Sequence, residues 1–178
     1  MKFPVMLSPA VVVLLFAAGP ISAQNLTRPE VPPKLAASVN EEVALIAHAS
    51  GYQIYVCQVG SDEKLSWTLK APDAELADAK GKNIGHHGAG PSWKLTDGSE
   101  VTAKAAAREN AQDPADVPWL LLNVTGHTGT GALAKVTTIQ RIHTKGGQPP
   151  ASGCDEAHRG AESKSAYTAE YYFYAPAH

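Results

Sequence analysis

From Val43 onward the chain alternates apolar and polar positions with a period of two. Val43, Leu45 and Ala47 fall on one side, Ala44, Ile46 and His48 on the other. That is the repeat of a half-buried strand. Ser50-Gly51 carries a turn signal, after which Tyr52 to Gln58 alternates again with β-branched and aromatic residues. Past the turn residues Gly60-Ser61-Asp62, Leu65 to Leu69 predicts a third strand, and the three read as a meander. The segment Ala71 to Ala79 is the best helix candidate, with Pro72 at a first helical position and Asp73 and Glu75 in a first turn. The glycine-dense stretch Gly81 to Trp93 predicts a loop. Asp97-Gly98 is a hairpin signal, with Glu100 to Ala105 as the return strand.

Residues 106–117 are polar and predict a loop. The nearly continuous apolar run Trp119 to Thr125 reads as a central strand buried on both faces. Leu133 to His143 predicts a long strand and Tyr167 to Tyr174 the last one, with an irregular stretch over 151–165. Short strands, glycine turns and almost no helix define the expected fold class. It is all-β: a single antiparallel β-sandwich or barrel with long loops and at most one short helix. Val56 or its neighbours, Trp67, Trp119, Leu121, Ile139 and Tyr171 are the expected core.

The N-terminus departs from this pattern. Lys2, the apolar run Val11 to Ala18, the breakers Gly19-Pro20 and the small residue Ala23 follow the order of a signal peptide cleaved after Ala23. The run is too short for a membrane span, which needs about 20 apolar residues. No second apolar run follows, so no membrane span is expected. The division is therefore a signal peptide over 1–23, an extended proline-rich arm over 24–40 and a β domain over 41–178, in a secreted or periplasmic protein. The arm contains Pro29, Pro32 and Pro33, which cannot donate to a ladder.

The chain carries 15 Lys and Arg against 17 Asp and Glu. No basic cluster marks a nucleic-acid footprint, so no nucleic-acid partner is expected. Only Cys57 and Cys154 are present. In an exported protein that even count reads as one disulfide, the rival being two buried free thiols. Their spacing matches neither a metal knuckle nor a redox pair.

Among chemistry-bearing residues, His86 and His87 stand out. On a strand the two would point to opposite faces, so they serve one metal only if the backbone turns between them. Otherwise one packs and the other faces solvent. His48, His127 and His143 are scattered. Ser92, Ser99 and Asp97 lie near the paired histidines in sequence, but no G-x-S-x-G elbow is present. Asp73, Glu75, Asp97, Glu100 and Glu170 are candidate carboxylates by type alone. Trp93 closes the glycine loop and is the tryptophan most open to a ligand. Arg141 sits amid Thr, Ile and Gln. If it points inward it needs a carboxylate or several carbonyls, and then anchors either structure or a ligand. Asn25 and Asn123 begin glycan acceptor triplets, usable only in a eukaryotic host. His86, His87, Trp93, Asp97 and Arg141 are the candidate ligand-binding set, with Gly85 to Trp93 as one wall of any pocket. His86 and His87 are the weak metal candidates. No cofactor motif is found.

Several segments, taken in order, are similar to one known family. They are Gly51 to Cys57, His87 to Trp93 with Asp97-Gly98-Ser99, Pro118 to Leu122, Ile139 to Gly147, Gly153-Cys154, and Tyr167 to Phe173. Together they resemble the domain-of-unknown-function family 3455 of secreted bacterial and fungal proteins, across about Val43 to Tyr174. His143 departs from the pattern, which has Asn there. The resemblance implies export and the cysteine pair, and no activity. The expectation is a monomeric, non-catalytic binding or surface-associated domain, its partner a small molecule or a glycan. The alternative is a secreted enzyme acting on carbohydrate or using a metal at the His86-His87 loop.

Overall fold

A computed structural model describes residues 26–60 and 62–177. The segment expected to be a signal peptide, residues 1–23, and Asn25 lie outside them. Eight strands follow one another around a closed barrel: β1 (Glu41–Val59), β2 (Leu65–Ala77), β3 (Asn83–Gly88), β4 (Ser92–Leu95), β5 (Glu100–Glu109), β6 (Trp119–Thr128), β7 (Thr138–Gly146) and β8 (Glu162–Pro176). Each pairs antiparallel with the next, and β8 closes onto β1. Closure leaves no edge strand in the barrel. Among the described residues no helix is long and apolar enough to cross a membrane.

Several elements differ from the sequence reading. The helix expected at Ala71 to Ala79 is the second half of β2. Pro72, Ala74 and Leu76 are buried while Glu75 is exposed, a period of two that the proline and acidic residues masked. Pro72 lies beside a bulge between β1 and β2, opposite Gln53, where a missing N–H is tolerated. Ser50-Gly51 is not a turn, because β1 runs through it unbroken. Gly51 is there for space: a Cβ would come within 2.5 Å of the Ala74 backbone. The strand expected from Leu133 starts only at Thr138. Leu133 and Val136 instead sit fully buried in the β6–β7 loop.

Inward positions form one core. Ala47, Ala49 and Gly51 on β1 and Ala74 on β2 are small, which leaves room for Trp93 on β4 and for Tyr167, Tyr171 and Phe173 on the neighbouring β8. Ile139 and Tyr171 are fully buried, as is Cys57 next to Val56. Trp67, Trp119 and Leu121 are corrections, being only half-buried. On β6 it is Leu120, Leu122 and Val124 that pack inward, so this strand is not buried on both faces. Trp67 Nε1 donates to Ser152 O (2.9 Å), and the Trp119 ring meets His143 edge-on.

The proline-rich arm straps the outside of the barrel. A short 3-10 turn, Pro33–Leu35, buries Leu35 completely. Gln140 Nε2 donates to Leu35 O (2.6 Å), and Tyr174 O–H donates to Gln140 Oε1 (2.5 Å). Arg28 lies over the Tyr174 ring, and Lys34 pairs with Glu109 on β5 (2.8 Å).

Candidate functional site

The barrel has two unlike ends. At one end the β4–β5 turn and the β6–β7 loop close together. Asp97 Oδ1 accepts from the Ser99 N–H (2.9 Å) and O–H (2.6 Å), and its Oδ2 accepts from the Ala132 N–H (2.8 Å). Those bonds hold its carboxyl below the usual range, the Ser99 hydroxyl first among them. Ser99 Oγ in turn accepts from the Leu133 N–H, and Leu133 and Val136 plug this end.

At the other end lie the β3–β4 turn, the β5–β6 loop and the β7–β8 loop. The last is tied to β1 by the Cys57–Cys154 disulfide. Between them opens a chamber of about 550 Å³. Its walls include Gln53 and Tyr55 (β1), Pro72 (β2), His87 (β3), Trp93 (β4), Leu120 and Leu122 (β6), Arg141 (β7) and Tyr171 (β8), with Gly90, Pro91, Val117, Pro118 and Pro149 from the loops. Eight-stranded barrels have an interior that side chains fill or that holds one small ligand.

Gly85 to Trp93 is not a free loop. It is the β3–β4 hairpin, turning at Ala89-Gly90-Pro91 with Gly90 at φ +126°. Strand alternation therefore separates the paired histidines. His86 points outward and meets Asp73 (2.9 Å). His87 points inward and is 2 % exposed. The His87 Nδ1–H donates to Ser92 O (2.8 Å), because a carbonyl can only accept. Nε2 is thereby left as an acceptor. Burial draws the His87 pKa down to about 3, outweighing the hydrogen bond to Ser92, and the Arg141 and His86 charges add to the lowering. The imidazole stacks on the Trp93 indole and meets the Tyr171 ring edge-on.

Arg141 enters the chamber from β7. Its Nε and Nη2 both donate to Pro118 O, at 3.2 and 2.8 Å. Among the described residues no carboxylate pairs with it. Four nearby side chains keep polar atoms buried with no partner at full hydrogen-bonding geometry among those residues: Gln53 Nε2, Trp93 Nε1, Tyr167 Oη and Tyr171 Oη, although Tyr167 lies beside Gln53 and Tyr171, and Tyr171 beside Arg141. Burial raises the pKa of both phenols, and the Arg141 charge opposes that. Tyr55, whose pKa burial also raises, donates to Gly147 O (2.6 Å).

Of the sequence candidates, His87, Trp93 and Arg141 thus share one chamber. His86 faces solvent across the wall, and Asp97 belongs to the opposite, closed end. His86 and His87 do not converge on one point, and among the described residues no three His, Cys, Asp or Glu side chains are placed to hold a metal. Gln53, Tyr55 and Tyr167 are not among the sequence candidates, and Tyr171 is expected from the sequence only as a core residue. Gln53 carried a readable signal, because it holds the same strand phase as Ala47, Ala49, Tyr55 and Cys57, an apolar series interrupted by one amide.

These features define a closed up-and-down β-barrel with one plugged end and, at the other, a chamber whose mainly apolar wall carries a few polar groups. The chain belongs to the family described as protein of unknown function (DUF3455), whose model matches residues 37–175. No curated protein and no solved structure matches it.

Proposed function

We propose that this protein is an extracytoplasmic, non-catalytic binding protein that holds one small molecule inside its barrel. The observation that carries the reading is the chamber itself. Its volume lies within the roughly 300–1,000 Å³ of small-molecule sites, and its wall is mainly apolar with a few convergent polar groups. Leaving a buried donor or acceptor unsatisfied costs about 1–3 kcal/mol, so an occupant that meets those groups gains from doing so. Export rests on the Lys2 to Ala23 pattern, and a disulfide suits an oxidising compartment. The carbohydrate-enzyme alternative has less support. Glycoside hydrolysis generally uses two facing carboxylates, whereas the chamber lining contains no Asp or Glu.

The test is a titration with N-phenyl-1-naphthylamine, a neutral probe that brightens in apolar surroundings. One saturable site per chain is expected. Ala105→Trp, at the chamber wall and paired with the inward Leu122 across β5 and β6, should weaken it at least about tenfold by filling the space. Absence of saturable binding, or equal binding by the Ala105→Trp variant, overturns the proposal.

A further inference from the structure

We infer that the chamber is built for an organic anion, a carboxylate carried on a flat apolar body, with Arg141 as its counter-charge. This rests on the binding reading above. Three independent observations support the sign of the charge. First, the residues lining the chamber include Lys70, Arg108 and Arg141 and no Asp or Glu. Lys70 is already paired with Glu162, and Arg108 is exposed at the rim. Arg141 therefore supplies the deep cation.

Second, Arg141 is held but not neutralised. Pro118 O takes Nε and Nη2, which fixes the plane of the guanidinium; the Tyr171 hydroxyl lies beside it, and no carboxylate among the described residues meets its remaining N–H groups. Arg141 is half-buried; to the extent that its guanidinium leaves water it favours an anion or several acceptors, and one carbonyl with one neighbouring hydroxyl meets only part of that need. A planar fork fixed in advance is suited to a carboxylate, which it can engage with little further ordering.

Third, the unpartnered buried atoms around it are predominantly donors. Gln53 Nε2 and Trp93 Nε1 can only donate, and the Tyr167 and Tyr171 hydroxyls can. A carboxylate offers about four lone-pair sites and so suits a ring of donors. His87, the buried imidazole beside them, remains neutral and adds no competing positive charge. The same lining includes Leu120, Leu122, Val117 and the Trp93 ring, an apolar surface that suits a ring system.

The experiment compares 2-naphthoate with 2-naphthamide by isothermal titration calorimetry on the intact chain. The two have nearly the same shape and differ in charge. Naphthoate is expected to bind at least about tenfold more tightly, as a charge-assisted hydrogen bond to Arg141 implies. Arg141→Gln should abolish that preference, naphthoate losing at least about tenfold more affinity than naphthamide, and Arg141→Lys should restore part of it. Equal or tighter binding of naphthamide by the parent overturns the anion inference and leaves the binding reading intact. Failure of both ligands and of the neutral fluorescent probe overturns both. The comparison on the parent protein needs no variant, so a poorly folding Arg141→Gln chain does not shield the inference.

Discussion

The imidazole of His87 lies flat on the indole of Trp93, with ring centroids 4.4 Å apart and planes 11° from parallel. The two residues are directly opposed in the β3–β4 register, so the hairpin itself delivers the stack to the barrel interior. A neutral imidazole is the form that this dry position accepts.

A pH dependence follows. The folded pKa of His87, about 3, lies below the unfolded value near 6.5. Between those limits the unfolded chain binds the extra proton, so stability falls as pH drops below about 6.5 and the loss is complete only near pH 3. The slope due to this one group approaches about 1.4 kcal/mol per pH unit. Urea unfolding at several pH values between 7.5 and 4.5 should show a steeper loss for the parent than for His87→Phe, which cannot titrate. Identical slopes would refute a buried neutral His87.

Adjacent in sequence, the two histidines should behave oppositely on substitution. His87→Ala removes a buried ring and leaves Ser92 O without its donor, at an expected cost of about 2–4 kcal/mol. His86→Ala breaks an exposed pair with Asp73 and should stay within about 0.5 kcal/mol of the parent. Denaturant midpoints separate the cases, and equal losses would contradict the strand phase assigned here.

Reduction of Cys57–Cys154 should affect both stability and the chamber. The two cysteines are 97 residues apart in sequence, and a loop of that length confers about 4–5 kcal/mol in the chain-entropy account. A reductant should lower the Tm by ~10–20 °C. It should also weaken ligand binding at temperatures where the reduced chain is still folded, because the β7–β8 loop bearing Gln148 and Pro149 loses its covalent tie to β1 and keeps only hydrogen bonds such as Tyr55 O–H to Gly147 O. An unchanged melting curve with both thiols demonstrably free would count against this.

The strap makes its own prediction. Leu35 is fully buried on the outer wall although it comes from a proline-rich arm. Leu35→Ala should cost about 2–4 kcal/mol while leaving probe affinity unchanged, since no strap residue lines the chamber. A cost below about 0.5 kcal/mol would mean that the arm is not docked in solution.

Alternation made the strands legible, and punctuation residues obscured several boundaries. Pro72 and its acidic neighbours resemble a helix start, yet they lie in a strand whose inward positions still alternate. Gly51 resembles a turn, but glycine is needed there because the neighbouring strand passes too close for a Cβ. The tryptophans show the limit of local context. Trp67 and Trp119 stand in apolar runs and are half-exposed, whereas Trp93 stands in a glycine-rich run and is buried, because β4 carries it inward opposite His87. Arg141 and His87 were visible as unusual residues in the chain. Their meeting with Tyr171 and Gln53 was not, since it depends on β7, β3, β8 and β1 being brought around one axis by barrel closure. Asp97 was drawn into the candidate set by its closeness in sequence to His87, but β4 carries the two to opposite ends of the barrel.

The central claim is that the barrel interior receives a ligand at Trp93. Three indole N–H signals, from Trp67, Trp93 and Trp119, can be followed in a nitrogen–proton correlation spectrum while 2-naphthoate is added. The account predicts that the Trp93 signal, buried and unpartnered in the free protein, moves in a saturable way while those of Trp67 and Trp119 hold still. A stationary Trp93 signal, or movement confined to Trp67 or Trp119, would contradict it.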